Sequence, residues 1–165
     1  MTSTPHSSIH SPTLVVKANA QGKVLYCEQG ISFWGGVDPN TGVIIDAHHP
    51  NHGASLAGCI LMMSTSRGSC SGSGVLVELA RNAKGPAALV FREAEDILTL
   101  GAMIAEQLFD RPIAVLRLPA DTFDSLSAAC HARIFDHTLE FNGQLSVPLC
   151  LWWLRTARTM PQTLN

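Results

Sequence analysis

The residues best placed to do chemistry form one stretch, Ser66-Arg67-Gly68-Ser69-Cys70-Ser71-Gly72-Ser73-Gly74, which runs into the apolar, helically spaced segment Val75 to Arg81. A loop of small residues opening a helix exposes backbone N–H groups and the positive end of the helix dipole. An anion, or an ionised side-chain oxygen, is stabilised at such a place. Serine hydroxyls, the Cys70 thiol and the Arg67 guanidinium all lie in that setting. A serine hydroxyl is a weak base until its ionised form is stabilised, so Ser69 reads either as a base or as a plain N-cap. Ser71 and Ser73 read as caps or backbone-bonding residues, with contact to a bound molecule the alternative for either. Arg67 has the fork that grips a carboxylate, set against an ordinary structural pairing. Cys70 is a nucleophile only if its thiol is activated, and no histidine adjoins it in sequence. Gly68, Gly72 and Gly74 are expected to permit close backbone approach around the loop.

Other reactive residues have simpler readings. His48, His49 and His52 crowd one short turn without a carboxylate ligand pattern, so no metal site is expected. Asp38 opens Asp38-Pro39-Asn40-Thr41-Gly42, a strong turn signal, and Asp46 closes a short apolar run. Phe33 and Trp34 suit either the core or a partner surface. The five cysteines have no CxxC pair and no zinc-type spacing, and are expected to be buried reduced thiols apart from Cys70 in the loop.

The elements that must hold this loop are legible around it. Gly58 to Met63 reads as a buried strand leading into it, so the order is strand, loop, helix. Leu14 to Ala18 and Lys23 to Cys27, separated by Asn19-Ala20-Gln21-Gly22, predict a hairpin, and Val43 to Asp46 a short strand. Ala87 to Phe91 predicts a strand, Ala94 to Leu108 a helix and Ile113 to Leu118 a further strand, a unit that favours parallel pairing. Ala132 to Phe141 returns to a strand pattern. The fold class is mixed α/β with a barrel-like β portion.

At 165 residues, with 46% hydrophobic and 15% charged residues, the chain has the bulk for one buried core and is too apolar for disorder. Its formal charge of -2, without basic clusters, argues against a nucleic-acid partner. No apolar run approaches the roughly 20 residues of a membrane span, and the N-terminus lacks a secretory pattern, which points to a cytoplasmic protein. Residues 1–13 read as a flexible Ser/Thr/Pro/His-rich arm, 14–142 as the domain and 143–165 as a tail.

Two motifs in order, Phe33-Trp34-Gly35-Gly36-Val37-Asp38-Pro39-Asn40-Thr41-Gly42-Val43-Ile44-Ile45-Asp46 and Arg67 to Glu78, with His49, Pro50 and Gly53 between them, resemble the swivelling domain of the aconitase X family. The resemblance covers roughly residues 14 to 142 and is closest to the form in which that domain is a separate small subunit. It implies an α/β fold, a swivelling β/β/α barrel of the aconitase superfamily. It also implies a hydro-lyase, in which a large catalytic subunit holds an iron–sulfur cluster and most substrate contacts while the small subunit supplies a serine. The matching position is Ser69, in the role of alkoxide general base toward the α-proton of a small hydroxy acid, with Arg67, Gly68, Cys70 and Ser71 around the substrate.

The Ser-Cys-Ser-Gly-Ser-Gly loop is similar to the bacterial branch of the family, which dehydrates cis-3-hydroxy-L-proline to a pyrroline-2-carboxylate. The archaeal branch acts on mevalonate 5-phosphate. Ser64-Thr65-Ser66 departs from the family's usual proline- or glycine-containing approach to the loop. Two readings outside the hydro-lyase remain: a non-catalytic anion-binding regulatory domain, and a free-standing enzyme using Cys70. Both account for the loop, and neither accounts for the motif from Phe33 to Asp46.

Overall fold

The computed structural model describes residues 11–143 and 145–151; the first ten residues of the expected arm and the tail beyond Leu151 lie outside it. The strands are β1 (Thr13–Val16), β2 (Ala20–Cys27), β3 (Ile60–Met63), β4 (Ala88–Phe91), β5 (Ala114–Arg117), β6 (His131–Phe135), β7 (Thr138–Phe141), β8 (Leu145–Pro148) and β9 (Cys150–Leu151). The helices are α1 (Phe33–Gly36, one distorted turn), α2 (Ser71–Arg81), α3 (Asp96–Phe109) and α4 (Ala120–Ser125).

The nine strands form one sheet in the order β8-β7-β6-β2-β3-β4-β5-β1-β9. Its two ends, β8 and β9, are separated in the chain by Leu149 alone, so the sheet must curl until its edges meet. That curl makes the barrel expected from the sequence. The central strands β2, β3, β4 and β5 run parallel, while β6, β7 and β8 continue antiparallel from β2, and β1 is antiparallel to β5.

β3 reads Ile-Leu-Met-Met and β4 Ala-Leu-Val-Phe because both faces of these strands are covered. Leu61 and Met63 face the helical layer with Leu76, Leu79, Leu98 and Ala105. Ile60 and Met62 face the barrel interior with Ala132, Ile134, Leu139 and Phe141, where Phe123 and Leu126 from the α4 region close the packing. Strand β6 instead alternates exposed and buried residues, as a sheet with one wet face requires.

Several sequence expectations need correction. The segments at 14–18 and 23–27 contain strands, β1 ending at Val16, but they do not form a hairpin: β1 pairs with β5 and β9, and β2 with β3 and β6. Residues 20–22 of the expected turn belong to β2, and Gly22 allows the close approach of the segment leading into β3, since a Cβ there would collide with the Gly58 carbonyl oxygen. Val43 to Asp46 makes isolated bridges, Val37 to Ile44 and Val43 to Ser55, in place of a strand. The segment 132–141 is a hairpin of β6 and β7 whose turn residues Asp136 and His137 both have positive φ, 45° and 61°, the geometry that matches strand twist.

The helix expected from Val75 starts at Ser71. Ser and Gly are weak helix formers, and packing overrides that weakness here: buried Phe33 lies against Gly72, and α2 packs along α3. Residues 145–148 and 150–151, from the segment set apart as a tail, are strands of the same sheet. The strands at β3, β4 and β5 and the helix α3 stand where the sequence places them, within two residues at most ends.

Candidate functional site

Parallel strands place the loops that follow them on one rim of the sheet, and open α/β folds bind ligands at that rim. Here β2, β3 and β4 deliver three segments to it: Glu28 to Asp46, Ser64 to Cys70 and Arg92 to Glu95.

The middle segment carries Ser69. Its side chain is exposed, and its Oγ accepts the Ser71 backbone N–H at 3.3 Å. The Ser69 carbonyl accepts from Gly72 N at 3.1 Å, and the Cys70 carbonyl accepts from Ser73 N at 3.2 Å and from Ser73 Oγ at 2.8 Å. Cys70 occupies the N-cap position with helical φ and ψ, and its side chain caps nothing. Ser69 therefore stands one residue ahead of the cap, at the positive end of an 11-residue helix. Ser73 is a backbone-bonding residue, as expected, and Ser71 points into solvent at the first helical position.

Two neighbours fix the loop. On one side Arg67 N donates to the Ile31 carbonyl at 3.0 Å, Arg67 Nε donates to the Gly30 carbonyl at 2.7 Å, and Arg67 Nη2 lies 3.6 Å from Asp46 Oδ2. On the other side Arg92 N and Glu93 N donate to the Ser64 carbonyl, at 3.2 and 2.9 Å, and the Ser66 hydroxyl donates to the Glu95 carboxylate. Gly68 is required where it stands: its φ is +104°, and a Cβ would come within 2.8 Å of Ser32 Oγ. Gly72 and Gly74 lie inside α2 with ordinary helical backbone, so the expectation of loop glycines holds for Gly68 alone.

Glu95 is the supporting residue that sequence reasoning missed, and Asp46, read there as closing a strand, is not joined to Arg67 by sequence alone. Asp46 had a signal, since it closes the first motif, but its partner Arg67 is 21 positions away. Glu95 is recognisable as a helix start, its carboxylate capping α3 by accepting Leu98 N at 2.7 Å; nothing in the sequence joins it to Ser66.

The remaining candidates are structural. His49 is buried, its Nδ1 accepting from Asn51 N at 3.1 Å while Nε2 lies 3.1 Å from the Gln29 carbonyl, so the network assigns the neutral tautomer with the proton on Nε2. His52 Nδ1 is 3.1 Å from the Asp46 carbonyl. Asp38 accepts from Asn40 N at 3.0 Å and Thr41 Oγ1 at 2.7 Å; the Thr41 hydroxyl bond, then the Asn40 amide, holds its carboxyl below the usual range. Phe33 is core and Trp34 is 67% exposed beside it, which separates the two aromatics. Among the described residues no three His, Cys, Asp or Glu side chains gather as a metal site. Cys27 and Cys59 are buried, but Cys130 and Cys150 are exposed along with Cys70, against the expectation of burial: they lie at the edges of the barrel, in front of β6 and in β9.

Comparison with known proteins bears on the family and the fold. The aconitase X swivel domain, as a family, matches residues 9–141. The chain is 43% identical over 144 residues to a cis-3-hydroxy-L-proline dehydratase of Pseudomonas aeruginosa, a match covering 87% of this chain and 25% of that protein. It is 40% identical over 100 residues to the phosphomevalonate dehydratase small subunit of Methanothermobacter thermautotrophicus, covering 60% of this chain and 76% of that one. The chain thus spans about a quarter of the length of the first of these relatives. The crystal structure of Thermococcus kodakaraensis aconitase X, in its holo-form, superposes with a TM-score of 0.63 at 30% identity, covering 85% of this chain and 96% of that one.

Proposed function

From the finding that this chain belongs to the aconitase X swivel-domain family, we propose that it is the small subunit of a hydro-lyase and brings Ser69 to an active site completed by a large subunit. The small-subunit relative supports the division into two chains. The proposed substrate is cis-3-hydroxy-L-proline, the compound for which the Pseudomonas aeruginosa relative is named, and that relative matches across most of this chain.

The observation that carries the reading is the position of Ser69 Oγ. It is exposed on the rim, accepts one backbone N–H, and sits at the positive end of α2. Those features stabilise an alkoxide once a partner surface excludes water. In the proposed reaction Ser69 Oγ takes the α-proton and the C–H electron pair forms the new double bond. The neighbouring hydroxyl then leaves as water, with a proton supplied from the partner's side of the cleft. Arg67 faces the substrate carboxylate as a cation held in place by Gly30 and Asp46. Gly68, Cys70 and Ser71 surround the same position with backbone and small side chains.

The described residues offer no metal-ligand group, so they do not fit an iron–sulfur cluster. We assign the cluster implied by the resemblance to the large subunit, and no step above passes through it.

The test is reconstitution with the large subunit and assay of cis-3-hydroxy-L-proline dehydration. Turnover only in the complex supports the reading. A second reading, the small subunit of a mevalonate 5-phosphate dehydratase, is favoured by the match to a separate archaeal small subunit over most of its length. Preference of the complex for the phosphorylated acid would select it.

A further inference from the structure

The residue tying the Ser69 loop to the neighbouring helix is Glu95, which is buried at 8% relative exposure. One of its carboxylate oxygens, Oε2, accepts the Leu98 N–H at 2.7 Å and so caps α3. The other, Oε1, accepts the Ser66 hydroxyl, three residues before Ser69. A buried carboxylate requires such partners, because an unpaired charge in this position would be strongly unfavourable. Capping α3 alone would be served by a short Asp or Ser, which lacks the reach to Ser66. The glutamate reaches instead from the β4–α3 junction to the β3–α2 loop.

We propose that Glu95 is a positioning residue: through Ser66 it sets the place of the loop that presents Ser69. The inference rests on the reading of that loop as the catalytic one. Arg67 fastens the opposite side of the loop to Gly30 and Ile31, and Arg92 N and Glu93 N hold the Ser64 carbonyl at its start, so loss of the Glu95 bond leaves the loop attached while the segment from Ser66 onward is free to shift. Catalytic groups tolerate little displacement, and a shift of about 1 Å lowers turnover by up to about a hundredfold.

Glu95→Gln keeps an oxygen to accept Leu98 N–H and exchanges the charge-assisted bond from Ser66 for a weaker neutral one in which the amide donates to Ser66 Oγ, and Ser66→Ala removes the partner without touching α3. Both are examined in the reconstituted complex for kcat and KM, and by amide hydrogen exchange over residues 67–72. The expected result is a fall in kcat of about tenfold in Ser66→Ala and a smaller fall in Glu95→Gln, with KM within about twofold in both. Exchange over 67–72 should be faster, and unchanged in β6 and β7. The double variant should be no worse than Ser66→Ala alone, since the bond between the two positions is already absent there. Ser66→Thr, which keeps the hydroxyl, should restore kcat. Unchanged exchange over 67–72 in Ser66→Ala overturns the proposal, as does unchanged kcat where exchange has risen. Ser69→Ala in the same complex separates the two readings: if that variant stays active, the base assignment fails, and the exchange data still decide whether Glu95 orders the loop.

Discussion

Arg67 Nη2 stands 3.6 Å from Asp46 Oδ2, which joins the loop after β3 to the end of the motif that follows β2. The same guanidinium donates from Nε to the Gly30 carbonyl at 2.7 Å, so its plane is fixed from two directions. A lysine cannot reproduce both contacts. Arg67→Lys should therefore raise KM for the substrate about tenfold, equivalent to about 1.4 kcal/mol of binding, with a smaller change in kcat. The ion pair is solvent-exposed, 53% at Arg67 and 27% at Asp46, so Asp46→Asn should cost less than about 1 kcal/mol of stability. Steady-state kinetics of the reconstituted complex and thermal melts of the isolated chain check the two halves.

Ser69→Ala removes the proposed base and little else, because the side chain is exposed and its one described bond is the 3.3 Å contact with Ser71 N. Turnover should fall by about a thousandfold or more, while melting temperature and co-elution with the large subunit stay unchanged. Loss of activity accompanied by loss of the complex would point to an interface role instead.

Gly68 is held at φ +104° with no room for a Cβ beside Ser32 Oγ. Gly68→Ala combines backbone strain with a steric contact, and should lower stability by about 1–2 kcal/mol, or about 3–6 °C in the melt of a chain this size. Adding Ser32→Ala removes the contact and leaves the strain, so the double variant should recover part of the loss. Full recovery would show that the contact alone was responsible.

The sequence shows the parallel centre of this fold plainly, because β3, β4 and β5 are apolar on both faces and no other arrangement hides them. The serine loop is equally legible, since its chemistry is local: small residues, a helix start, an arginine. What the sequence hides is every relationship made by packing segments that are distant in the chain. Gly22 looks like a turn glycine, but its reason is the Gly58 carbonyl oxygen, which lies against the place its side chain would take. Ser-Gly-Ser-Gly at 71–74 looks like loop, and is helix because Phe33 packs on it from a distant motif. Glu95 and Ser66 are 29 positions apart, and their bond exists only because β3 and β4 are neighbours.

The two buried thiols give a pH signature that needs no partner and no substrate. Burial pushes the Cys27 thiol up to about 12, and burial, with a smaller effect of Cys27 as a neighbouring thiolate, pushes Cys59 up to about 12, from an ordinary value of 9.0. Between those values an unfolded chain releases both protons and the folded chain keeps them. The unfolded state then binds fewer protons, so stability falls as pH rises. The contribution is fully present below pH 9.0 and declines toward about 12, with a limiting slope of about 1.4 kcal/mol per pH unit for each thiol. Thermal melts should thus show no thiol-linked change from pH 7 to 8.5 and a steep decline above pH 9. Cys27→Ala should make that decline shallower while lowering stability at neutral pH through the cavity it leaves. Thiol titration gives an independent reading: Cys70, Cys130 and Cys150 are exposed and should react with a disulfide reagent in the folded chain, while Cys27 and Cys59 react only on unfolding. Fast reaction of all five at neutral pH would contradict the burial on which the pH argument stands.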